Sequence, residues 1–482
     1  SLMVFDKSAF IKLKEYKNRG IYQFIHHLYI QCSNERFNTF IEDFPSLQND
    51  INAFSFDGTN FKESHIDTFF NSIQNKTVTS IGFHSQSVDF RILTSPKFTE
   101  NLAKLSSKLK FLSFDNFDGF VFDQIATQLS FITVLSLSKC NLDIGPTFQQ
   151  IIDLEFKNLS ELDLSNNKVV DKFDFRGNLP PSLSKIVVTN IAWGKTTNLI
   201  KFILRVLSGM NSILKLNLSN STLSDDWNKV FQTLADIDTD KFSLDPVTTI
   251  GWDGNPISDL FFIFLSECKN LSSLSLSGCF NVDSDSTLYK SFIDFLNKAQ
   301  NIQTLILRGA PEKRIRNNIY GILESLSKLN SLQKLDISDN EIGDEGLTGS
   351  RTDSLITFLK KKPRMVVAFE GSTPSSLNTY LELYKQAPNE SKFCYPIHDS
   401  FPYEQSDTKY IDEMKSLSQK MFVTPPINLK WKNDGKQKLI SRVTKPDSNP
   451  LDKPYFAYFD HDMDKEFHLP IFVPITYVPV PV

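Results

Sequence analysis

Cys394-Tyr-Pro-Ile-His398-Asp399 places a thiol, an imidazole and a carboxylate within six residues. A thiolate nucleophile needs a base or a positive neighbour, and a carboxylate can orient the imidazole, so this stretch admits cysteine chemistry. His461-Asp462-Met463-Asp464, with Glu466 and His468, offers oxygen and nitrogen ligands, yet the spacing fits neither a calcium-binding loop nor a zinc-protease helix. A solvated polar loop is the expectation there. His26-His27 falls in an expected strand, which makes it a surface pair. The sequence has no phosphate-cradling GxxxxGK[ST] loop, no GxGxxG after a strand and no GxSxG elbow. No catalytic, metal-binding or cofactor-binding residue is therefore assigned, and the chain is expected not to be an enzyme. An enzyme built on Cys394 stays open as an alternative.

The five cysteines, Cys32, Cys140, Cys268, Cys279 and Cys394, are odd in number and far apart, which points to a reducing, cytoplasmic compartment. The first residues lack the basic start and apolar run of a signal peptide, and no stretch of about 18 apolar residues occurs that could span a membrane. Asn-x-Ser/Thr sequons at Asn75, Asn158, Asn217, Asn220, Asn270 and Asn389 carry little weight, because most fall inside a repeat in which Asn and Ser recur for other reasons. With 52 basic against 56 acidic side chains, the chain has no excess positive charge to attract nucleic acid.

Leu159-Ser-Glu-Leu162-Asp-Leu164-Ser-Asn-Asn167-Lys-Val169 and Leu332-Gln-Lys-Leu335-Asp-Ile337-Ser-Asp-Asn340-Glu-Ile342 share one pattern, LxxLxLxxNxL. Degenerate copies start at 25, 51, 78, 109, 132, 159, 183, 213, 247, 271, 302, 332 and 364. Of the 39 first, fourth and sixth positions, 38 are apolar, Arg364 being the exception. Phe is frequent, with 42 copies, so rings are expected where Leu would ordinarily stand. Between frames the period changes from two to helical: Ile66, Phe69, Phe70, Ile73; Ile200, Ile203, Leu204, Leu207; Ile319, Ile322, Leu323, Leu326. Each repeat thus predicts a short strand and a helix, which bury their apolar faces only by stacking on neighbours.

The ninth position holds Cys140, Asn167, Asn255, Cys279 and Asn340. Side chains there are expected to turn inward and bond backbone groups left unpaired at the strand end, which makes Cys140 and Cys279 structural. On these motifs, residues 25–387 resemble the ribonuclease-inhibitor-like class of leucine-rich repeat proteins. The resemblance implies an α/β solenoid, a horseshoe of about 13 strand–helix repeats.

Residues 1–24 are expected to cap the first repeat. Proline then rises from 10 residues in 1–387 to 12 in 388–482, where the aromatics Tyr395, Phe401, Tyr403, Trp431, Tyr455, Phe456, Tyr458, Phe459 and Phe467 alternate with it. That Pro- and aromatic-rich C-terminal arm is expected to pack on the solenoid or on a partner.

In the class resembled, residues between the apolar strand positions line the concave face. Candidate partner-binding residues there are Tyr29, Asp57, His84, Phe111, Asp115, Asp163, Lys185, Lys215, Asp253, Arg308 and Lys334. Small polar residues fill most of the rest, a pattern that suits a broad wet surface more than a cleft. The expected function is a protein-binding scaffold acting through the concave face or rim. The repeat region looks most like that of CARMIL-type regulators of actin capping protein, which implies a cytoskeletal role. Ran GTPase-activating proteins resemble the same class and imply a GTPase regulator instead. Some bacterial effectors join such repeats to a cysteine-dependent ubiquitin ligase, the form an enzyme using Cys394 would take.

Overall fold

A computed structural model describes residues 2–4, 27–30, 52–57, 62–74, 77–84, 90–105, 107–117, 122–170, 173, 176–209, 214–239, 241–280, 286–310, 312–315, 319–349, 354–369, 377–394, 421–423, 429–431 and 437–439. The side chains of Tyr29, Asp57, His84 and Cys394, and all of His26, His398, Asp399 and 461–468, lie outside the described residues, as does most of 1–24 and 395–482. The chain divides into two units, residues 1–215 with 221–226 and residues 216–220 with 227–482. Each is α/β, with parallel strands in chain order.

In the first unit these are β1 (Leu2–Val4), β2 (His27–Ile30), β3 (Ala53–Asp57), β4 (Ser80–His84), β5 (Phe111–Asp115), β6 (Val134–Ser138), β7 (Glu161–Asp163) and β8 (Lys185–Val187). The fourth residue of one frame pairs with the fourth of the next: Leu28, Phe54, Ile81, Leu112, Leu135, Leu162, Ile186. Register is fixed because a slip of one residue would turn every apolar side chain of a strand to the opposite face. A short strand β9 (Ala192–Gly194) follows, then β10 (Leu214–Asn217), at which the division falls, and β11 (Thr222–Leu223), which pairs in parallel with β9.

The second unit repeats the arrangement with β12 (Val247–Gly251), β13 (Ser273–Ser275), β14 (Thr304–Ile306), β15 (Lys334–Asp336), β16 (Val366–Ala368), β17 (Lys392–Cys394) and β18 (Met421–Val423). Its fourth-position row is Ile250, Leu274, Leu305, Leu335, Val367 and then Phe393, one step past the last frame read from the sequence. Strand pairing therefore continues past both ends of the frames read from the sequence, through β1 on β2 and through β17 and β18. Two further strands, β19 (Leu429–Trp431) and β20 (Gln437–Leu439), form an antiparallel pair.

Aromatic rings do occupy leucine sites. At the sixth position Phe56, Phe83 and Phe114 stack nearly face to face, with centroids 5.3 and 5.8 Å apart, and Phe69 and Phe98 from the helices Glu63–Ile73 and Pro96–Lys104 meet this stack near edge-on. Both geometries suit the ring quadrupole. In the helix Thr196–Gly209 the buried stripe is Leu199, Phe202, Ile203, Val206 and Leu207, not the expected one through Ile200 and Leu204. Phe202 sets that rotation by packing against Trp193, Phe173 and Phe148 at 4.9, 5.6 and 5.7 Å. Likewise Arg364 is exposed, and Met365, one residue later, fills the apolar site.

The eighth position of most described frames adopts the left-handed backbone conformation: Asn116, Lys139, Asn166 and Asn190 in the first unit, and Asn220, Gly254, Gly278 and Asp339 in the second, with φ between 54° and 71°, Gly309 being an exception. The chain turns there from strand into loop, and Asn, Asp and Gly tolerate that region best. At Gly254 a Cβ would also crowd Asn220 Oδ1, so the Asn220 amide would have to turn aside. Asn166→Val, which places a β-branched side chain in this region, is expected to cost about 1–2 kcal/mol in urea unfolding, whereas Asn166→Gly should be close to neutral.

Candidate binding face

A strand that buries alternate residues presents the others on its opposite face. On β5–β8 those residues form three rows, Phe111–Val134–Glu161–Lys185, Ser113–Ser136–Asp163–Val187 and Asp115–Ser138–Ser165–Thr189. The outer rows are mostly half-buried. The middle row, expected to be open to solvent, is buried along its whole length. It is flanked on either side by the two mostly half-buried rows.

Four of the proposed residues meet here. Phe111 and Asp115 are half-buried at the two ends of β5. Lys185, only 2% exposed, donates to Glu161 Oε2 at 2.9 Å, so its charge is neutralised within the sheet. Glu161 was not on the candidate roster, although its place one strand before a lysine in the same row is legible in the frames. Asp163 is 6% exposed; its Oδ2 accepts from Ser136 Oγ at 3.0 Å and its Oδ1 from the Ser165 backbone N–H at 2.9 Å. Burial pushes its carboxyl above the usual carboxylate range and the nearby Asp115 charge adds to the rise, while the Ser165 and Ser136 bonds oppose it.

Raised folded-state affinity for a proton has a definite sign. Stability from Asp163 is present below the ordinary carboxylate range and is lost as pH rises through the raised value. Asp163→Asn keeps an oxygen for Ser165 N–H and an amide to face Ser136 Oγ, and removes the buried charge. Its melting temperature should exceed that of the parent at pH 7–8, with the gap closing as pH falls towards about 4. Melting curves of both proteins across that range check this, and a gap that does not narrow on acidification would contradict it.

The second unit carries related features. Asp253, half-buried, accepts from Ser275 Oγ at 2.5 Å and from Ser277 N–H at 2.6 Å. Asp336 is buried and accepts from Ser338 N–H at 2.9 Å. Burial raises both carboxyls, against the Ser275 and Ser277 bonds for Asp253 and against the Arg308 charge for Asp336. Arg308 donates through Nε and Nη2 to Asp339 Oδ2 at 2.9 and 2.6 Å. Lys334 in β15 is half-buried, as is Lys215 of β10, which belongs to the first unit. At the matching strand position in β10, Asn217 Oδ1 accepts from Ser219 N–H at 3.0 Å, as Asp163 does from Ser165. Asp339 is a partner the frames did not single out; its left-handed backbone at the eighth position was the available signal.

The ninth position closes the strand ends as expected. Asn167 Nδ2 donates to the Leu137, Leu164 and Ser165 carbonyls while its Oδ1 accepts from Cys140 and Leu142 N–H. Asn340 Nδ2 donates to the Leu307, Ile337 and Ser338 carbonyls, and its Oδ1 accepts from Ile315 N–H. Cys140 and Cys279 are buried, with their thiols donating to the Phe114 and Trp252 carbonyls, and burial pushes both up in pKa. They have the environment of inert thiols. Among the described residues no group of three or more His, Cys, Asp or Glu is placed to hold a metal ion. None of the described helices is long and apolar enough to cross a membrane.

No family model matches the chain. It is similar to the Rho GTPase-activating protein gacW of Dictyostelium discoideum, with 28% identity over 199 residues, covering 39% of this chain. The match spans 17% of that relative.

Proposed function

We propose that the chain is a leucine-rich repeat solenoid of the ribonuclease-inhibitor-like class that acts as a non-enzymatic, cytoplasmic scaffold, binding a protein partner through the strand face opposite its apolar core. The supporting observation is the register: the fourth positions of the frames pair strand to strand in each unit, which aligns the intervening residues into rows broad enough to meet a protein surface. The partner we infer is a small GTPase. The similarity to a Rho GTPase-activating protein supports that setting, as does the resemblance of the repeats to Ran GTPase-activating proteins.

The test is binding of the full chain to Rho-type and Ran GTPases, each loaded with GDP or with a non-hydrolysable GTP analogue. Nucleotide-dependent binding without faster single-turnover GTP hydrolysis is the expected result. Accelerated hydrolysis would replace the scaffold reading with that of an activating protein. Binding to actin capping protein in place of any GTPase would favour the cytoskeletal role implied by the CARMIL-type resemblance.

A further inference from the structure

We propose that the buried row Ser113–Ser136–Asp163 on β5–β7 is an acceptor site for one cationic side chain, arginine or lysine, projecting from a protein partner, with Asp163 as its anion, Asp115 beside it and Ser113 as a neutral ligand. This rests on the reading of the strand face as a docking surface and names the chemistry it selects.

Four observations carry it. First, register places Ser113, Ser136 and Asp163 side by side on three consecutive strands, and Asp115 two residues along β5 on the same face. Second, the fold does not need the charge of Asp163. Its hydrogen-bond partners among the described residues are neutral donors, and Asn217 makes the equivalent bond to Ser219 with an uncharged amide. The Ser165 and Ser136 bonds offset part of the desolvation penalty of a carboxylate placed where an amide would serve, and an arriving cation would offset more of it. Third, the nearest lysine in the adjoining row, Lys185, is bonded to Glu161 and so already has an anion of its own. Fourth, Ser113 Oγ, with its residue 2% exposed, has no hydrogen-bond partner among the described residues and faces the same row as Ser136 and Asp163. A buried hydroxyl is rarely left unmet in a finished structure, and a guanidinium or ammonium donor would satisfy its lone pairs.

The depth of the site selects the occupant. The carboxylate, on a residue 6% exposed, lies between the half-buried Phe111 and Val134 on one side and Asp115 and Ser138 on the other. A long, flexible stem can bring its charge to that carboxylate while its methylenes lie along Phe111 and Val134. Arginine has the added advantage of a fork that can reach Asp163 and Ser113 together.

The experiment uses the full chain and three fluorescent hexapeptides, hexa-arginine, hexa-lysine and hexa-citrulline, the last having the shape of arginine without the charge. Binding is read by anisotropy at low salt, with Glu100→Gln as an exposed-carboxylate control on the helix Pro96–Lys104. The expected result is binding of the cationic peptides and not of hexa-citrulline, weakened about tenfold or more by Asp163→Asn and by Ser113→Val but unchanged by Glu100→Gln. Circular dichroism and melting curves show whether each variant is folded, and Asp115→Asn is a second charge variant should Ser113→Val unfold. Equal affinity of Asp163→Asn and parent would overturn the site, as would competition by millimolar Ca2+ or Mg2+ at constant ionic strength, which would mark a metal site instead. If GTPase binding persists in Asp163→Asn, the scaffold reading stands and this acceptor falls; if no GTPase binds but the peptides do, the reverse holds.

Discussion

Leu335→Asp should abolish cooperative folding of the second unit near neutral pH, or lower its melting temperature by more than 10 °C. Leu335 is fully buried in the middle of β15, paired with Leu305 on one side and Val367 on the other. Replacing it removes a large apolar side chain, worth about 2–5 kcal/mol from the cavity alone, and leaves an unpaired carboxylate among hydrocarbon. Substitutions of this kind fall in the extreme tail of mutational effects. Leu335→Met, which conserves volume, should lose less than about 1.5 kcal/mol. Thermal and urea unfolding of both variants measure this, and an unchanged melting curve for the aspartate variant would mean that the strand register is wrong.

The second large effect is expected at Asn167. Its amide satisfies three carbonyls and two N–H groups, all at the end of a strand where water cannot substitute. Asn167→Ala orphans those groups together; at about 1–3 kcal/mol for each buried group left unsatisfied, even partial relaxation leaves a loss of at least about 3 kcal/mol. Asn167→Asp is a sharper probe. It keeps the acceptor that meets Cys140 and Leu142 N–H but points a carboxylate oxygen at three carbonyls, so it should be no better than alanine at neutral pH. If it were as stable as the parent, the donor half of this network would carry no weight. Asn340→Ala, which frees the same number of carbonyls in the second unit and the Ile315 N–H, should also lose stability in urea unfolding.

The strand register was legible because its signal is redundant: each frame fixes three apolar positions, and a wrong assignment would have failed in many repeats at once. The ninth-position residues were legible because Asn and Cys have few reasons to recur at a strand end except to bond backbone. The left-handed eighth position was written just as plainly, as Asn116, Asn166, Asn190, Asn220, Gly254 and Gly278, but it requires reading conformation and not hydropathy. The helix Thr196–Gly209 was misphased because Ile200, Leu204 and Phe202 are all apolar, so periodicity allows either stripe and only the packing of Phe202 on Trp193 decides. Burial of the middle row escaped the sequence for a different reason. Ser136 and Asp163 look like surface residues one at a time, and only pairing across β6 and β7 shows that they satisfy one another.

Cys140 in the first unit and Cys268 and Cys279 in the second are buried thiols held in the neutral form. Each unit therefore carries its own built-in clock. An alkylating reagent can capture these sulfurs only during transient opening of the surrounding repeats, so pulsed labelling followed by mass spectrometry would time the fluctuations of the two halves separately, in the unmodified chain and without an introduced dye.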